Sequence, residues 1–417
     1  MDGLLFLAHR LPFPPNKGDK IRSFHLLRHL AQRYRIYLGA FVDDADDWQY
    51  ADALAPYCAE IKLFAMHPRL SKLKSLAGLL TDEALTLPYY RNAALSQWAA
   101  QLAEGGIVNR GLAFSSAMGQ FMPPGLARTV MDMVDVDSDK WTQYALSQPW
   151  PLSWIYAREG RKLSLWEARM AQDFDATLLV SRAETVLLQQ RAPQAHAKIS
   201  AFENGVDAEY FSPDRDYPNP YETEAQAIVF TGAMDYWPNI DAVCWFTEHA
   251  FPAIRQQVPN AQFTIVGSRP ASEVQKLAQQ PGVRVTGGVP DIRPYLAHAA
   301  CAVAPLRIAR GVQNKVLEAT AMARPVVVTP QAAEGICARA GVDFELAQDA
   351  EAFAAAVSHH LTHADTAMGQ AARAGILVNY DWERNLSVVD DCFEPALHSV
   401  FSSPDTVRVD NLEIHPA

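Results

Sequence analysis

The sequence predicts two α/β domains in tandem, each a doubly wound parallel sheet, facing each other across a cleft. Three observations lead there. The chain has 417 residues, more than one hydrophobic core usually organises. Short apolar runs alternate with helix-length segments through the first half and again through the second, the pattern of parallel strands joined by helices. Between the halves, residues 211–220 carry three prolines among polar residues and suit an exposed connection.

Taken in order, residues 4–8 read as a short buried strand that runs into a turn-rich loop at 11–19. The helix that follows sets Ile21, Phe24, Leu27 and Leu30 on one side, with Arg22, Arg28 and His29 elsewhere, and residues 35–42 supply the second strand. Further strands are expected at 60–64, 112–115, 129–134, 177–180 and 198–202, so the first domain spans 1–205. After a linker at 206–225 the alternation restarts with strands at 227–231, 262–266, 283–286, 300–304 and 325–328, giving a second domain over 226–385. A helix at 386–401 is placed to cross back to the first domain, and the polar 402–417 reads as a flexible tail.

Composition narrows the function. Lys+Arg 36 against Asp+Glu 47 leaves a net charge of −11, which argues against general affinity for nucleic acid, so an anionic ligand must meet a local site. Cys58, Cys244, Cys301, Cys337 and Cys392 are odd in number and scattered. They offer no CxxC pair and no disulfide framework, and fit a reducing cytoplasm. The opening apolar stretch is too short for a signal sequence, and no run approaches a membrane span.

The most informative segment is 304–328, which reads strand, glycine-containing loop, helix, proline and second strand. With Gly311 at the helix start, first-turn N–H groups form an anion site, and Arg307, Arg310 and Lys315 add positive charge. Glu318, two turns along, can accept hydrogen bonds from the two vicinal hydroxyls of a ribose. Taken alone, Lys315 and Glu318 are as readily an ordinary solvated helix face.

This block resembles the nucleotide-sugar signature of the retaining glycosyltransferases of family GT4, which have the GT-B fold of two Rossmann-like domains with parallel sheets. The resemblance extends to Phe202-Glu203-Asn204-Gly205-Val206-Asp207, similar to the family's Asn-Gly-Val-Asp turn, and to Val180-Ser181-Arg182. More narrowly, four segments resemble sugar transferases associated with PEP-CTERM/exopolysaccharide loci: His9-Arg10-Leu11-Pro12-Phe13-Pro14-Pro15, Val134-Asp135-Val136-Asp137-Ser138-Asp139-Lys140-Trp141, Phe230-Thr231-Gly232-Ala233-Met234-Asp235-Tyr236-Trp237-Pro238-Asn239 and Gln313-Asn314-Lys315-Val316-Leu317-Glu318. Two departures stand out. Arg310 occupies the place of the first glutamate in the Glu-x7-Glu pattern, a residue that contacts donor sugar hydroxyls in relatives. The loop after Gly232 also lacks the arginine and lysine that neutralise the leaving diphosphate, and Arg307, Arg310 and Lys315 are the compensating candidates.

On this reading the donor-binding residues are Gly18, Arg22, Gly232, Asp235, Asn239, Arg307, Arg310, Gly311, Asn314, Lys315 and Glu318. Gly288, Val289 and Asp291 lie in a loop resembling the one whose main chain reads the nucleotide base. Asp135 and Asp137 follow the 129–134 strand, whose end should line the cleft, where relatives often place a histidine. They could orient an acceptor hydroxyl, take its proton or hold a divalent cation; equally, the acidic cluster could cap the helix carrying Trp141, with Ser138 and Asp139 as the cap residues. His9 is the remaining acid/base candidate, ranked below them. Residues 70–80 mix leucines with Lys72 and Lys74 in a manner compatible with an interfacial helix. The plainer reading is a core-packed helix with solvated lysines. Trp150, Trp154, Tyr156 and Trp166 could form an acceptor groove or a membrane rim, though core packing is the commoner use of such residues.

The expected activity is transfer of a sugar from a UDP- or GDP-sugar, the donor substrate, to a glycan or lipid-linked acceptor in exopolysaccharide biosynthesis, with retention as the resemblance implies. No metal ligand set or resident cofactor is assigned, and a divalent cation stays open. The expected site of action is the cytoplasm, at the inner face of the membrane. A nucleotide-sugar epimerase and a non-catalytic sugar-nucleotide-binding partner are the alternatives. A nicotinamide dehydrogenase is set aside, because no GxGxxG follows the first strand.

Overall fold

The computed structural model describes residues 1–15, 17–309, 311–363 and 366–394. The first sheet is made of β1 (Gly3–Ala8), β2 (Arg35–Val42), β3 (Cys58–Ala65), β4 (Arg110–Phe114), β5 (Arg128–Val134), β6 (Ala176–Leu179) and β7 (Ile199–Ala201). Its order is β3-β2-β1-β4-β5-β6-β7. All its pairings are parallel, Leu4 lying between Ile36 and Arg110. The second sheet comprises β8 (Gln226–Thr231), β9 (Ala261–Val266), β10 (Val283–Gly287), β11 (Cys301–Ala304), β12 (Val326–Val328) and β13 (Glu345–Leu346). Its order is β10-β9-β8-β11-β12-β13, again parallel throughout. Each sheet therefore reverses its winding beside its first strand, between β1 and β4 and between β8 and β11. Such a switch opens a crevice at the carboxy-terminal strand ends.

Strands buried on both faces explain why the apolar runs are continuous rather than alternating. Leu4, Leu5, Phe6, Leu7 and Ala8 are all fully buried, as are Ile228, Val229 and Phe230 at the centre of the second sheet. The two-residue β13 has no signature in the sequence, being too short for any periodicity.

The Gly18–Leu30 helix departs from the expected face. Ile21 and Phe24 are only partly buried, whereas Lys20, Arg22, Ser23 and His25 are buried. The cause is a second cover. The Trp382–Phe393 helix returns to the first domain, where Trp382, Leu386, Val389 and Phe393 join the same core as Leu26 and Leu27. Trp382 stacks on His25 at 4.3 Å, and Arg128 donates to the carbonyl of Cys392 at 2.7 Å. This helix starts at Trp382, four residues before the expected 386, because Asp381 caps it by accepting from the Arg384 N–H at 2.8 Å. Residues 395–401 and the expected tail at 402–417 lie outside the described residues.

Arg22, expected at the donor, is instead a strut of the core and fully inaccessible. Its guanidinium forks onto Asp132 at 2.8 and 3.0 Å and donates to the Phe202 carbonyl at 2.6 Å and to Asn204 Oδ1 at 3.0 Å. Four of its five N–H donors are engaged within the core, Phe202 is stacked beneath it at 4.0 Å, and the side chain is sealed from the cleft. Removing one partner of a buried, hydrogen-bonded ion pair strands the other charge. Arg22→Met is therefore expected to lower unfolding free energy by about 3–5 kcal/mol, read as a fall in the urea midpoint of the purified protein.

Candidate active site in the interdomain cleft

Two elements of the second domain build its wall of the cleft. The first is the turn after β8, where Gly232 adopts a φ of +154°. A Cβ there would stand 2.8 Å from Asn239 Nδ2 and 3.4 Å from Lys315 Cε, so the backbone needs glycine to pass this close. The second is the Asn314–Ala321 helix, which follows β11. Its first helical residue is Asn314, three beyond Gly311. The expectation that Gly311 opens the helix is corrected: Gly311 turns the preceding loop at a φ of +62°. A Cβ at Gly311 would meet Val180 at 3.3 Å and Asp135 Oδ1 at 3.8 Å, both across the cleft in the first domain.

Lys315 is fixed from two sides. Its Nζ donates to Asn239 Oδ1 at 2.9 Å and stands 5.2 Å from the centre of the Phe230 ring. Asn239 is held in turn by donating to the Ala233 carbonyl at 2.9 Å. Burial pulls the Lys315 pKa down to about 8, opposed by the Glu318 carboxylate. Glu318, one turn along the same helix, is half-buried, and burial raises it to about 7 against the attraction of Lys315. Its carboxylate makes no hydrogen bond among the described residues, so its acceptor positions remain available.

From the first domain, Gly18 opens the Gly18–Leu30 helix, and a Cβ there would lie 3.6 Å from Asn314 Nδ2. Asn204 donates to Asn314 Oδ1 at 3.3 Å. The amino terminus of the Asn314–Ala321 helix thus faces first-domain backbone at close range.

Acidic groups line the first domain's side. Asp137 is the first residue of the Asp137–Ser147 helix. Burial raises its pKa, against Lys140 and His9. Asp135 is pushed up to about 7 by burial, reinforced by Asp137 and Glu184. Burial opposes the charge of Lys140, but Asp137, Tyr236, Tyr144 and Asp135 outweigh it and raise its pKa. Tyr236 belongs to the second domain, so Lys140 answers to both walls. His9 stacks on Phe114 at 5.7 Å with Nε2 3.3 Å from Asp19 Oδ2, while its buried Nδ1 has no partner. The helix cap considered for Ser138 and Asp139 is absent in that form. Ser138 instead binds the buried Glu167 through its N–H at 3.0 Å and through its hydroxyl, and Asp139 pairs with Arg191 at 2.6 Å. Among the described residues no group of three or more His, Cys, Asp or Glu is arranged to hold a metal ion.

Three further expected residues are engaged within the protein. Arg307 is exposed, and its guanidinium forks onto Asp241, with Nε at 2.9 Å. Asp235 is held by Arg269 Nε at 3.0 Å, and the same guanidinium reaches Asp44 of the first domain at 3.2 Å, so Asp235 anchors a bridge over the cleft. Asp291 caps the Arg293–His298 helix at the Arg293 N–H and pairs with the Arg293 side chain; its carboxylate serves its own loop. Gly288 in that loop lies beside Ser268, a Cβ there being 3.6 Å from Ser268 Cβ, and Val289 is partly buried against the core. Arg310 lies outside the described residues.

Sequence reasoning passed over Asn204 as a side chain, Lys140 and Arg269. Asn204 and Lys140 stand within segments noted for their resemblance, whereas Arg269 had no signal, because its left-handed φ of +51° depends on the fold of the loop after β9.

The architecture of two parallel α/β sheets facing across a cleft is the GT-B fold. Residues 225–363 match the family described as Glycosyl transferases group 1, which covers the second domain with Gly232, Asn239, Lys315 and Glu318. No curated protein matches the chain in sequence. Among solved structures, the sucrose-phosphate synthase from Thermosynechococcus elongatus superposes with a TM-score of 0.69 at 18% identity, covering 94% of this chain and 98% of that one. WaaG, a glycosyltransferase involved in lipopolysaccharide biosynthesis, gives 0.64 at 13% identity, with 94% and 100% covered. Anabaena HepE, solved in complex with UDP-glucose, gives 0.63 at 14% identity, with 94% and 99% covered.

The raised carboxyls carry a sign that can be measured. Glu167 is pushed up to about 8 by burial against its Ser138 hydrogen bond, and Asp135 to about 7. The folded protein therefore holds protons that the unfolded chain releases near pH 4, and stability is lost as pH rises through those folded values. His25, lowered to about 4 by burial, opposes this trend only below about pH 6.5 and offsets just part of it. Unfolding free energy is expected to rise by roughly 1–2 kcal/mol from about pH 8 down to about pH 6.5. In Asp135→Asn/Glu167→Gln the slope of the urea midpoint over this window should flatten.

Proposed function

We propose that the chain is a glycosyltransferase that moves a sugar from a UDP- or GDP-sugar to a hydroxyl of a glycan or lipid-linked acceptor, in exopolysaccharide biosynthesis at the cytoplasmic face of the membrane. The observation that carries this reading is the combination, on one helix in the cleft, of Lys315 fixed beside Gly232 and the unengaged Glu318 carboxylate. Glu318 accepts hydrogen bonds from the ribose hydroxyls. Lys315, the first-turn N–H groups of the Asn314–Ala321 helix and the backbone at Gly18 receive the diphosphate. The loop at Gly288 and Val289 borders the base.

In the transfer, the acceptor oxygen bonds to the anomeric carbon as that carbon's bond to the diphosphate oxygen breaks. The bonding pair stays on the diphosphate, where Lys315 offsets the developing charge. The acceptor's proton passes to the Asp137 carboxylate, with His9 and Asp135 positioning the hydroxyl. Retention and the exopolysaccharide setting rest on the GT4-like motifs. HepE binding UDP-glucose supports a uridine nucleotide as the first to test.

Calorimetric titration with a panel of nucleoside diphosphates is expected to find one binder. Glu318→Ala should weaken it about 10- to 100-fold, the worth of charge-assisted hydrogen bonds; unchanged affinity would overturn the assignment. With the matching sugar nucleotide, conversion without transfer would indicate an epimerase, and binding without either reaction a non-catalytic partner. Asp137→Asn is expected to lower kcat by about 100-fold while donor affinity holds steady; equal loss of both would remove Asp137 from the proton step.

A further inference from the structure

The first domain carries a surface that folding leaves uncovered. The Pro68–Ser75 helix shows Leu70 at 56% exposure and Leu73 at 67%, and just beyond it Leu76 and Leu80 stand 48% and 92% exposed. The core-packed reading of this segment therefore fails for its leucines. A second group, Trp150 at 81% and Trp154 at 52%, sits at the turn into the Leu152–Asp173 helix.

Arg158 joins the two groups. Its guanidinium donates to the Gly78 carbonyl at 2.8 Å and the Thr81 carbonyl at 2.6 Å, which fixes the 76–81 turn against a helix whose preceding turn bears Trp154. Arg69, Lys72 and Lys74 are exposed around the leucines. The nearby acids Asp82 and Glu83 are engaged by Lys162 and Arg91. On a chain of net charge −11, this patch is locally basic and apolar.

We propose that this face lies on an anionic lipid surface, the leucines and tryptophans entering the headgroup region and Arg69, Lys72 and Lys74 meeting lipid phosphates. Charge decides for lipid over a second copy of the chain, because a like-charged basic patch would repel its own image while an anionic bilayer attracts it. Tryptophan and leucine flanked by lysine and arginine are the residues that settle at such an interface. No helix of the described residues is long and apolar enough to cross a membrane, so contact is made from one side. The geometry ties the surface to the cleft: the 11-residue Asp137–Ser147 helix begins at the cleft and ends beside Trp150, a path of about 16 Å.

Flotation of the full chain with vesicles tests it. Binding is expected to vesicles of phosphatidylcholine with one-third phosphatidylglycerol, and to weaken with salt and on pure phosphatidylcholine. Lys72→Gln/Lys74→Gln should reduce the partition coefficient about tenfold, and Leu73→Glu/Leu80→Glu should abolish flotation. Those positions are exposed, so Tm should stay within a degree or two of the parent. Absence of flotation, or flotation indifferent to both double variants, would overturn the proposal. So would a concentration-dependent dimer in ultracentrifugation that Leu73→Glu/Leu80→Glu dissolves without any vesicle binding. Nucleoside diphosphate affinity in the variants reports separately on the cleft.

Discussion

The cleft depends on a buried cation that touches no ligand. Arg22 holds Asp132 at the end of β5, the Phe202 carbonyl beyond β7 and the Asn204 side chain where the chain leaves the first domain. Asn204 reaches on to Asn314, and Asn385 of the returning helix donates to the Asn204 carbonyl at 3.3 Å. Val206, two residues later, bonds to the Tyr380 carbonyl at 2.8 Å. Both crossings of the chain between domains are thus secured around one guanidinium. A planar donor fork suits this task, since it satisfies acceptors on three residues at once, which a lysine ammonium could not do with fixed geometry. Desolvating such a charge is costly unless its donors are met, and here four of the five are met by the elements that must be held in place.

The two walls differ in how they carry charge. The second domain presents one lysine, backbone N–H groups and a carboxylate, which the proposed function assigns to the diphosphate and the ribose. The first domain presents Asp135, Asp137 and His9, with Lys140 among them. Carboxyls crowded in low dielectric hold protons beyond their ordinary range, which suits the proton-transfer role the proposed function gives this wall. The bridge from Arg269 to Asp44 and Asp235 closes one side of the gap with opposite charges and keeps the walls in register.

Much of the architecture was legible because buried parallel strands leave apolar runs; twelve of the thirteen strands were expected within a few residues of where they lie, the edge strands β3 and β10 among them although neither is fully buried. Lys315, Asn239 and Gly232 were singled out by the family resemblance of their segments, and the structure brings the three together. Arg22 was misread, because a charged residue early in a helix looks solvent-facing until the second cover, the Trp382–Phe393 helix, is known, and that contact spans most of the chain. The partners of Arg307 and Asp291 were not legible either: formal charge near a cleft says nothing of the group that engages it, and Asp241 and Arg293 are brought there by the fold.

The loop after β8 lacks the basic residues expected of a diphosphate site, and on the proposed function Lys315 stands in for them. A lysine on a flexible loop would be hydrated and mobile, whereas Lys315 leaves a helix and is held between an amide oxygen and an aromatic face. Burial has already lowered its affinity for a proton to about 8, so the cation is poorly compensated at neutral pH, with only Glu318 opposing. A phosphate arriving there gains more than it would from a solvated pair, because the lysine's desolvation has been met by folding. On the proposed function, one half-buried lysine at the positive end of the Asn314–Ala321 helix takes the place of two exposed cations. The Arg22 strut beneath Asn204 and Asn314 keeps that helix end in place.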